Sequence, residues 1–181
     1  MKIIKTEFDG LFLLKANISE DSRGYFYESF NKERYKEHIK NVEFVQDNES
    51  ISSKGVIRGL HFQNQPFSQS KLLRVVTGSI LDVVVDLRNY SNTFGKYFSI
   101  KIHHSDKVQI YIPRGFAHGF IALEDNTIVN YKVDNFYSPN HENGINPLDK
   151  SLKIDWMIEK SEIILSEKDS NLPDFNKKQI F

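Results

Sequence analysis

The sequence contains no cysteine, and this absence excludes disulfide bonds and thiolate metal ligands. No apolar run approaches the ~20 residues that a membrane-spanning helix needs. Residues 1–5 show neither the apolar run nor the cleavage pattern of a signal peptide. An excess of positive charge is missing as well, since 24 basic residues balance 24 acidic ones. We therefore expect a cytoplasmic protein that binds neither nucleic acid nor membrane.

Apolar and aromatic residues are plentiful enough for a folded domain. The chain has 181 residues, of which 39% are hydrophobic and 13% aromatic. A chain of this length can bury a substantial core, and we expect one domain over residues 1–181. Its near-zero net charge removes one barrier to self-association, which weakly favours an oligomer.

Short β-type segments dominate the pattern. Residues 71–76 and 79–88 flank Thr77 and Gly78 and predict a β-hairpin. In its second arm the acids Asp82 and Asp86 share one face, and the other face is wholly apolar, which predicts a half-buried strand. Further strands are predicted at residues 97–102, 108–112, 119–123 and 127–132, the last two as a pair.

Helix is scarce in the same pattern. Asn31 can cap a helix over residues 32–39, and residues 155–181 are polar with one final helical turn. Turn signals recur about every ten residues, as sandwiches and barrels require. The sequence therefore predicts an all-β fold, a sandwich or jelly roll with a few short helices.

His61 is the first candidate for chemistry, because Arg58 and Lys71 are close to it in the sequence. Neighbouring cations favour a neutral imidazole, which can act as a base, and they stabilise an oxyanion formed by proton removal. The structural alternative is a core histidine that hydrogen-bonds a backbone carbonyl. Tyr131, at the end of an alternating strand, is either a packed aromatic residue or a general acid.

A metal site is the other chemical alternative. Gln63 occupies the position two residues after His61, where a metal-binding β-barrel would carry a second histidine. His118, in residues 112–120 (IPRGFAHGF), is the other histidine in a comparable context. Two histidines without a third ligand make a poor metal site, so we expect neither a metal nor any other cofactor.

The ordered motifs of the chain resemble those of the dTDP-4-dehydrorhamnose 3,5-epimerase family over almost the whole length. They include residues 21–30 (DSRGYFYESF), 44–48, 53–63, 82–88, 91–96, 112–120, 137–139 and 165–169. The resemblance implies a cupin-type jelly roll (double-stranded β-helix), a homodimer and no metal. It also implies a nucleotide-linked 4-keto-6-deoxy hexose as substrate, whose C4 ketone acidifies the protons on C3 and C5.

The resemblance also implies roles for matching residues. His61 corresponds to the base that removes the C5 and C3 protons, and Asp169 to the carboxylate that orients it. Lys71, helped by Arg58, corresponds to the group that stabilises the O4 enolate, and Tyr131 to the acid that returns a proton to C5. The positions that match nucleotide and sugar binding are Arg23, Glu28, Gln46, Asn48, Arg58, His118, Tyr137, Glu142 and Lys168. Of these, Tyr137 is expected to stack on the nucleobase.

One stretch departs from the family pattern. Residues 146–149 (NPLD) stand where many members carry Trp-Asp/Asn-Asp-Pro, and this difference bears on the sugar and on whether both carbons are inverted. A 3-only or 5-only epimerase acting on another nucleotide sugar is therefore one alternative. A 3,4-ketoisomerase is a second, against which Tyr131 argues, and a non-catalytic sugar-binding cupin is a third.

Overall fold

The computed structural model describes residues 1–176, in which two antiparallel sheets pack face to face. The first sheet contains, in spatial order, β1 (Lys2–Lys5), β2 (Phe12–Lys15), β10 (Val108–Ile112), β7 (Lys71–Thr77), β12 (Thr127–Val133) and β5 (Gln46–Ser52). The second contains β13 (Glu142–Gly144), β6 (Ile57–Gln63), β11 (Phe116–Ala122), β8 (Ser79–Asp86) and β9 (Tyr97–His103). A separate hairpin consists of β3 (Ser19–Asp21) and β4 (Gly24–Phe26).

Helices are few and short in the described residues. They are α1 (Lys32–Lys36), α2 (Glu167–Ser170) and 3-10 turns at His104–Asp106, Pro139–His141 and Lys160–Glu162. None of the helices in residues 1–176 has the length and apolar character to cross a membrane. The predicted all-β, cupin-type jelly roll with a few short helices is confirmed.

Three apolar clusters hold the layers together. The central one lies between the sheets and contains Leu73 and Val129 from the first sheet with Ile80 and Val84 from the second. A second cluster covers the outer face of the second sheet, where loops that include Trp156 pack on it. The third lies outside the first sheet, beneath α1. Both faces of the second sheet are therefore buried.

The predicted hairpin over residues 71–88 is wrong, because β7 and β8 belong to different sheets. Gly78 alone connects them, with φ of 77°, and a Cβ there would lie 2.3 Å from Thr127 Oγ1. The pairing predicted for residues 119–123 and 127–132 is wrong for the same reason, since β11 and β12 also lie in different sheets. A turn signal specifies that the chain reverses, but not in which layer it continues.

Two local predictions also need correction. Strand β8 is buried along its whole length rather than on one face, because its acid-bearing face lies between the two sheets while C-terminal loops cover its apolar face. Helix α1 ends at Lys36 rather than at Ile39, although the predicted cap is confirmed: Asn31 accepts from the amides of Glu33 and Arg34. The predicted C-terminal helical turn is present as α2, and residues 177–181 lie outside the described residues.

Candidate active site

A cavity of about 600 Å³ opens at one end of the space between the two sheets. A recess of about 250 Å³ adjoins it, and Asn48, His61, Lys71 and Tyr131 line both. Both sheets contribute residues to the lining of the main cavity. Strands β5, β7 and β12 belong to the first sheet, and β6 and β11 belong to the second. The combined volume is in the range of sites for small organic ligands.

A histidine–carboxylate pair lies in this cavity. His61 Nε2 is 2.6 Å from Asp169 Oδ1, although the residues are 108 positions apart in sequence. Asp169 is buried on α2, and its second oxygen accepts from the amide of Gly59 at 3.4 Å. Burial alone would raise the pKa of Asp169, but the hydrogen bonds from His61 and Gly59 outweigh it and hold the pKa below its usual range.

This pair leaves one imidazole nitrogen available for chemistry. In the tautomer in which Nε2 donates to the Asp169 carboxylate, Nδ1 of His61 carries the free lone pair. The carboxylate then orients the ring and stabilises the imidazolium that forms on proton uptake. The expected contact between these two residues is present, so the arrangement is suited to general-base catalysis.

The C-terminal segment positions Asp169 by docking on the start of β6. The amide of Ile164 donates to Gly55 O at 2.9 Å, and Ile164 O accepts from the amide of Ile57 at 3.0 Å. Gly55 has φ of 88°, and a Cβ at this position would lie 2.1 Å from Glu162 O. Only glycine permits this close approach of the two backbones.

Lys71 lies at the start of β7 and lines the main cavity and the recess together with His61. Its Nζ donates to His61 O across 3.5 Å. Burial lowers the pKa of Lys71 to about 8, while the nearby charges of Asp82 and Glu142 act in the opposite direction. Such a lysine is mostly charged at neutral pH and can stabilise a negative oxygen in the cavity.

Tyr131 approaches the cavity from the sheet opposite to His61. It lies on β12, between Asn48 of β5 and Leu73 of β7. Burial raises the pKa of Tyr131, an effect that the Arg58 charge opposes and the Glu142 charge reinforces. The phenol therefore keeps its proton at neutral pH, which is the state that a general acid needs.

Arg58 also lines the main cavity, from β6. Its Nε donates to Ser52 Oγ at 3.0 Å, and its Nη2 donates to Ile51 O at 3.0 Å. These two bonds hold the guanidinium against β5. The cation therefore lies against β5, the strand that pairs with β12, which carries Tyr131.

A second histidine–carboxylate pair lies deeper in the sheet. His118 on β11 is directly opposite His61 on β6, and its Nε2 is 2.8 Å from Asp82 Oδ2. Burial is the main cause that lowers the pKa of His118, and it outweighs the Asp82 carboxylate. The sequence analysis missed Asp82 as a site residue because it placed this side chain on an exposed face; an acid in the middle of an apolar strand was the available signal.

The recess carries a chain of polar contacts at its mouth. Glu142 Oε2 accepts from Tyr137 Oη at 2.6 Å and pairs with Lys168 Nζ at 2.7 Å. Gln46 Oε1 accepts from the Tyr137 amide at 3.3 Å, and Gln46 Nε2 donates to Asn48 Oδ1 at 2.8 Å. These five residues, all predicted to bind substrate, therefore lie together along one edge of the cavity.

Arg23 and Glu28 lie elsewhere in their own chain. Arg23 is in the turn of the β3–β4 hairpin and pairs with Asp21 at 2.6 Å. Glu28 pairs with Arg34 at 3.3 Å. Among the described residues that line the main cavity and the recess, neither appears. Within one chain, these two predicted substrate-binding residues therefore lie outside the cavity lining.

The stretch that departs from the family pattern has a structural place. Asn146 Nδ2 donates to Asp174 Oδ1 at 2.8 Å, and Asp149 Oδ2 accepts from the amide of Phe175 at 2.7 Å. Pro147 O accepts from Trp156 Nε1 at 2.8 Å. Residues 146–149 therefore anchor the C-terminal segment outside the second sheet rather than line the cavity.

Metal ligands do not gather in the part of the chain that the structure describes. No three histidine, cysteine, aspartate or glutamate side chains within residues 1–176 are placed to hold a metal ion. The two histidines at the cavity each contact a carboxylate instead, at Asp169 and Asp82. Proton transfer by side chains is the chemistry for which these groups are arranged.

Fold and site together define a class, that of jelly-roll proteins with an acid–base cavity between their two sheets. The sequence model of the family described as dTDP-4-dehydrorhamnose 3,5-epimerase matches residues 5–177. The chain belongs to this family.

Relatives resemble the chain over nearly its whole length. A dTDP-4-dehydrorhamnose 3,5-epimerase from Methanothermobacter thermautotrophicus is 46% identical, over 94% of this chain and 92% of the relative. The crystal structure of an enzyme of that name from Elizabethkingia anophelis has 44% identity and a TM-score of 0.93, covering 99% of this chain and 98% of the other. A dTDP-6-deoxy-D-glucose-3,5-epimerase from Legionella pneumophila, in complex with dTDP-4-keto-L-rhamnose, has 40% identity and a TM-score of 0.93, with coverage of 99% and 96%.

Proposed function

We propose that the protein is a cofactor-independent epimerase that inverts C3 and C5 of dTDP-4-keto-6-deoxy-D-glucose and yields dTDP-4-keto-L-rhamnose. The observation that carries the proposal is the placement of a base and an acid on opposite sheets around one cavity. His61 with Asp169 and Tyr131 line the same space. The names of the relatives and the sugar nucleotide in the Legionella complex support the same reaction.

The chemistry follows from the acidity of protons next to the ketone. His61 removes the C5 proton, and the electron pair of the C–H bond moves to O4 as an enolate. Lys71, assisted by Arg58, stabilises this oxyanion. Tyr131 then delivers a proton to C5 from the opposite face, and C3 is inverted through the same enolate chemistry. After each inversion, solvent removes the proton from His61 and restores the proton of Tyr131.

The polar edge of the recess is suited to the nucleotide part of this substrate. Lys168 supplies a cation for the diphosphate, and Tyr137, with about half of its surface exposed, offers a ring on which a base can stack. Gln46, Asn48, Glu142 and His118 provide hydrogen-bonding groups for the sugars and the base. We assign all of these residues to substrate binding.

We further infer that the protein is a homodimer in which Arg23 and Glu28 reach the cavity of the partner subunit. The hairpin that carries Arg23 exposes Tyr25 and Phe26 to 57% and 75%, a large apolar surface for so small an element. A two-fold dimer would bury this surface and bring both charged residues to a site in the other chain. One domain over residues 1–181 and a cytoplasmic location remain part of this proposal.

Proton NMR of dTDP-4-keto-6-deoxyglucose incubated with the protein in D₂O tests the reaction. We expect the H3 and H5 signals to disappear as deuterium enters both carbons and the product accumulates. Incorporation at a single carbon would contradict double inversion and favour a 3-only or 5-only epimerase. No incorporation, together with tight binding, would instead indicate a sugar-binding protein. The His61→Asn variant is the matched control, because it keeps the size of the side chain but lacks the base.

A further inference from the structure

We propose that Asp82 is a positioning residue of the reaction, whose carboxylate holds the His118 ring and keeps Lys71 in its charged form. The inference rests on the proposed function, since it assigns to Lys71 the stabilisation of the O4 enolate. It adds a group that does not itself line the main cavity or the recess within the described residues.

Asp82 lies in the middle of β8, where its position in the sheet fixes the direction of its side chain. It pairs in register with Phe120 of β11 and Ile100 of β9. Ile80 and Val84, on the same face of β8, belong to the apolar cluster between the sheets. Side chains two residues apart on a strand share a face, so Asp82 also points into the space between the sheets, with 0% exposure.

The two carboxylate oxygens of Asp82 are in different situations. Oδ2 contacts His118 Nε2 at 2.8 Å. Oδ1 is buried and has no hydrogen-bond partner among the described residues. An unpaired carboxylate oxygen in an apolar interior is costly unless a nearby positive charge offsets it. Holding His118 alone would not require the second oxygen or a negative charge.

Lys71 is the cation that can offset this charge. The titratable and charged groups around it are Asp82, which contacts His118 outside the cavity lining, and the lining residues His61, His118, Tyr131, Glu142, Asp169, Arg58 and Lys168. On its own sheet, Asp134 and Arg114 follow β12 and β10 and pair with each other at 3.0 Å. Burial disfavours the charge on Lys71, and the acids that counteract this effect are Asp82 and Glu142.

Glu142 and Asp82 differ in the cations available to them. Glu142 already contacts Lys168 at 2.7 Å and Tyr137 at 2.6 Å. His118, the contact of Asp82, has its pKa lowered by burial and is therefore neutral at neutral pH. The Asp82 carboxylate therefore acts on two neighbours, as a hydrogen-bond partner of His118 and as a charge that favours the protonated form of Lys71.

The pH dependence of the rate is the readout that a purely structural role would not move. The pKa of Lys71 is about 8, so the rate should fall above this pH as the lysine loses its proton. Asp82→Asn removes a charge that raises this pKa. The alkaline limb of kcat should then move down by about one pH unit, as is typical for loss of a nearby opposite charge, and activity should recover at lower pH.

The experiment measures kcat and deuterium incorporation from about pH 5.5 to about pH 10, a range that covers both sides of the Lys71 pKa of about 8. Asp86→Asn is the matched control, because Asp86 is an equally buried acid on β8 that pairs with Arg88 instead. It should lower the thermal midpoint and leave the alkaline limb in place. Lys71→Arg replaces the titrating ammonium by a guanidinium, and in that background Asp82→Asn should no longer move the limb.

Each outcome decides between distinct claims. If wild-type protein turns over and Asp82→Asn lowers the rate equally at every pH, the inference about Asp82 is overturned while the epimerase proposal stands. The inference about Asp82 is also overturned if Asp82→Asn moves the alkaline limb of kcat in the Lys71→Arg background. If wild-type protein shows no exchange, the proposed function itself fails. Should Asp82→Asn not fold, Asp82→Ser provides a smaller neutral side chain with a hydroxyl for His118, and the same shift is expected.

Discussion

Burial sets the protonation state of the side chains that face the cavity. It raises the pKa of Tyr131 and lowers that of Lys71 to about 8. At neutral pH the Tyr131 phenol therefore keeps its proton, and the Lys71 ammonium is charged but close to its pKa. Asp169 is the exception, because hydrogen bonds from His61 and Gly59 outweigh its burial and keep its pKa low. The same environment therefore prepares three groups for three different tasks.

Replacing the base should remove most of the activity. We expect His61→Asn to lower kcat by at least ~100-fold, because general-base catalysis contributes about 10²–10⁴. Binding of dTDP, measured by calorimetry, should change little, since the imidazole is assigned to the reacting sugar. A smaller loss in kcat would contradict the assignment of His61. Asp169→Asn should also lower kcat, because the ring loses the carboxylate that stabilises the imidazolium.

Replacing the acid should separate proton exchange from inversion. In Tyr131→Phe the base still removes the C5 proton, but no phenol returns one from the opposite face. We expect deuterium to enter C5 with retention of configuration, as followed by NMR coupling constants. Tyr137→Phe is the matched control, because this tyrosine contacts Glu142 at the mouth of the recess; it should weaken binding and keep inversion. Inversion at a wild-type rate in Tyr131→Phe would exclude this role.

At the scale of elements, the C-terminal segment completes the site. Residues 160–170 wrap over the start of β6 and contribute Ile164, Leu165, Ser166, Lys168 and Asp169 to the cavity wall. Docking depends on Gly55, because the Glu162 carbonyl would overlap any Cβ at that position. A buried loop glycine thus lets the segment that carries Asp169 dock beside β6.

The substitution Gly55→Ala tests this coupling. It should displace the segment and lower kcat about as much as Asp169→Asn does, because both remove the carboxylate from His61. In the Asp169→Asn background, Gly55→Ala should add little further loss, since coupled sites are not additive. Steady-state rates of the four proteins measure the coupling, and additive losses would refute it. Gly10→Ala is the control, with a similar φ of 78° and no place in the cavity lining described above.

At the scale of the whole molecule, two sheets and, in our proposal, two chains assemble one site. Within a chain, the sandwich brings β6 of one sheet opposite β7 and β12 of the other. Arg23 and Glu28 remain outside this arrangement, on and next to the hairpin. Their assignment to substrate binding therefore depends on the dimer.

Mixing two inactive variants tests the shared site directly. We expect Arg23→Ala and His61→Ala to be impaired separately, because one lacks a contact from the hairpin and the other lacks the base. After joint refolding, half of the dimers combine both chains, and in each of these one cavity has all its groups. The mixture should recover about a quarter of the wild-type rate. Absence of recovery, with a dimer demonstrated by ultracentrifugation, would place Arg23 in its own chain's site or outside any site.

The sequence by itself determined the strand-rich class and the family, because these depend on composition, periodicity and ordered motifs, and it predicted the reactive side chains that we propose. It also predicted that His61 and Asp169 meet, though only through resemblance to the family. It did not determine which strands pair: β7 and β8 follow a turn signal into different layers, since local pattern carries no information about the sheet that a strand joins. The tertiary structure alone decided the buried contact of Asp82 with His118, because it depends on the pairing of β8 with β11, which brings together side chains 36 positions apart in sequence.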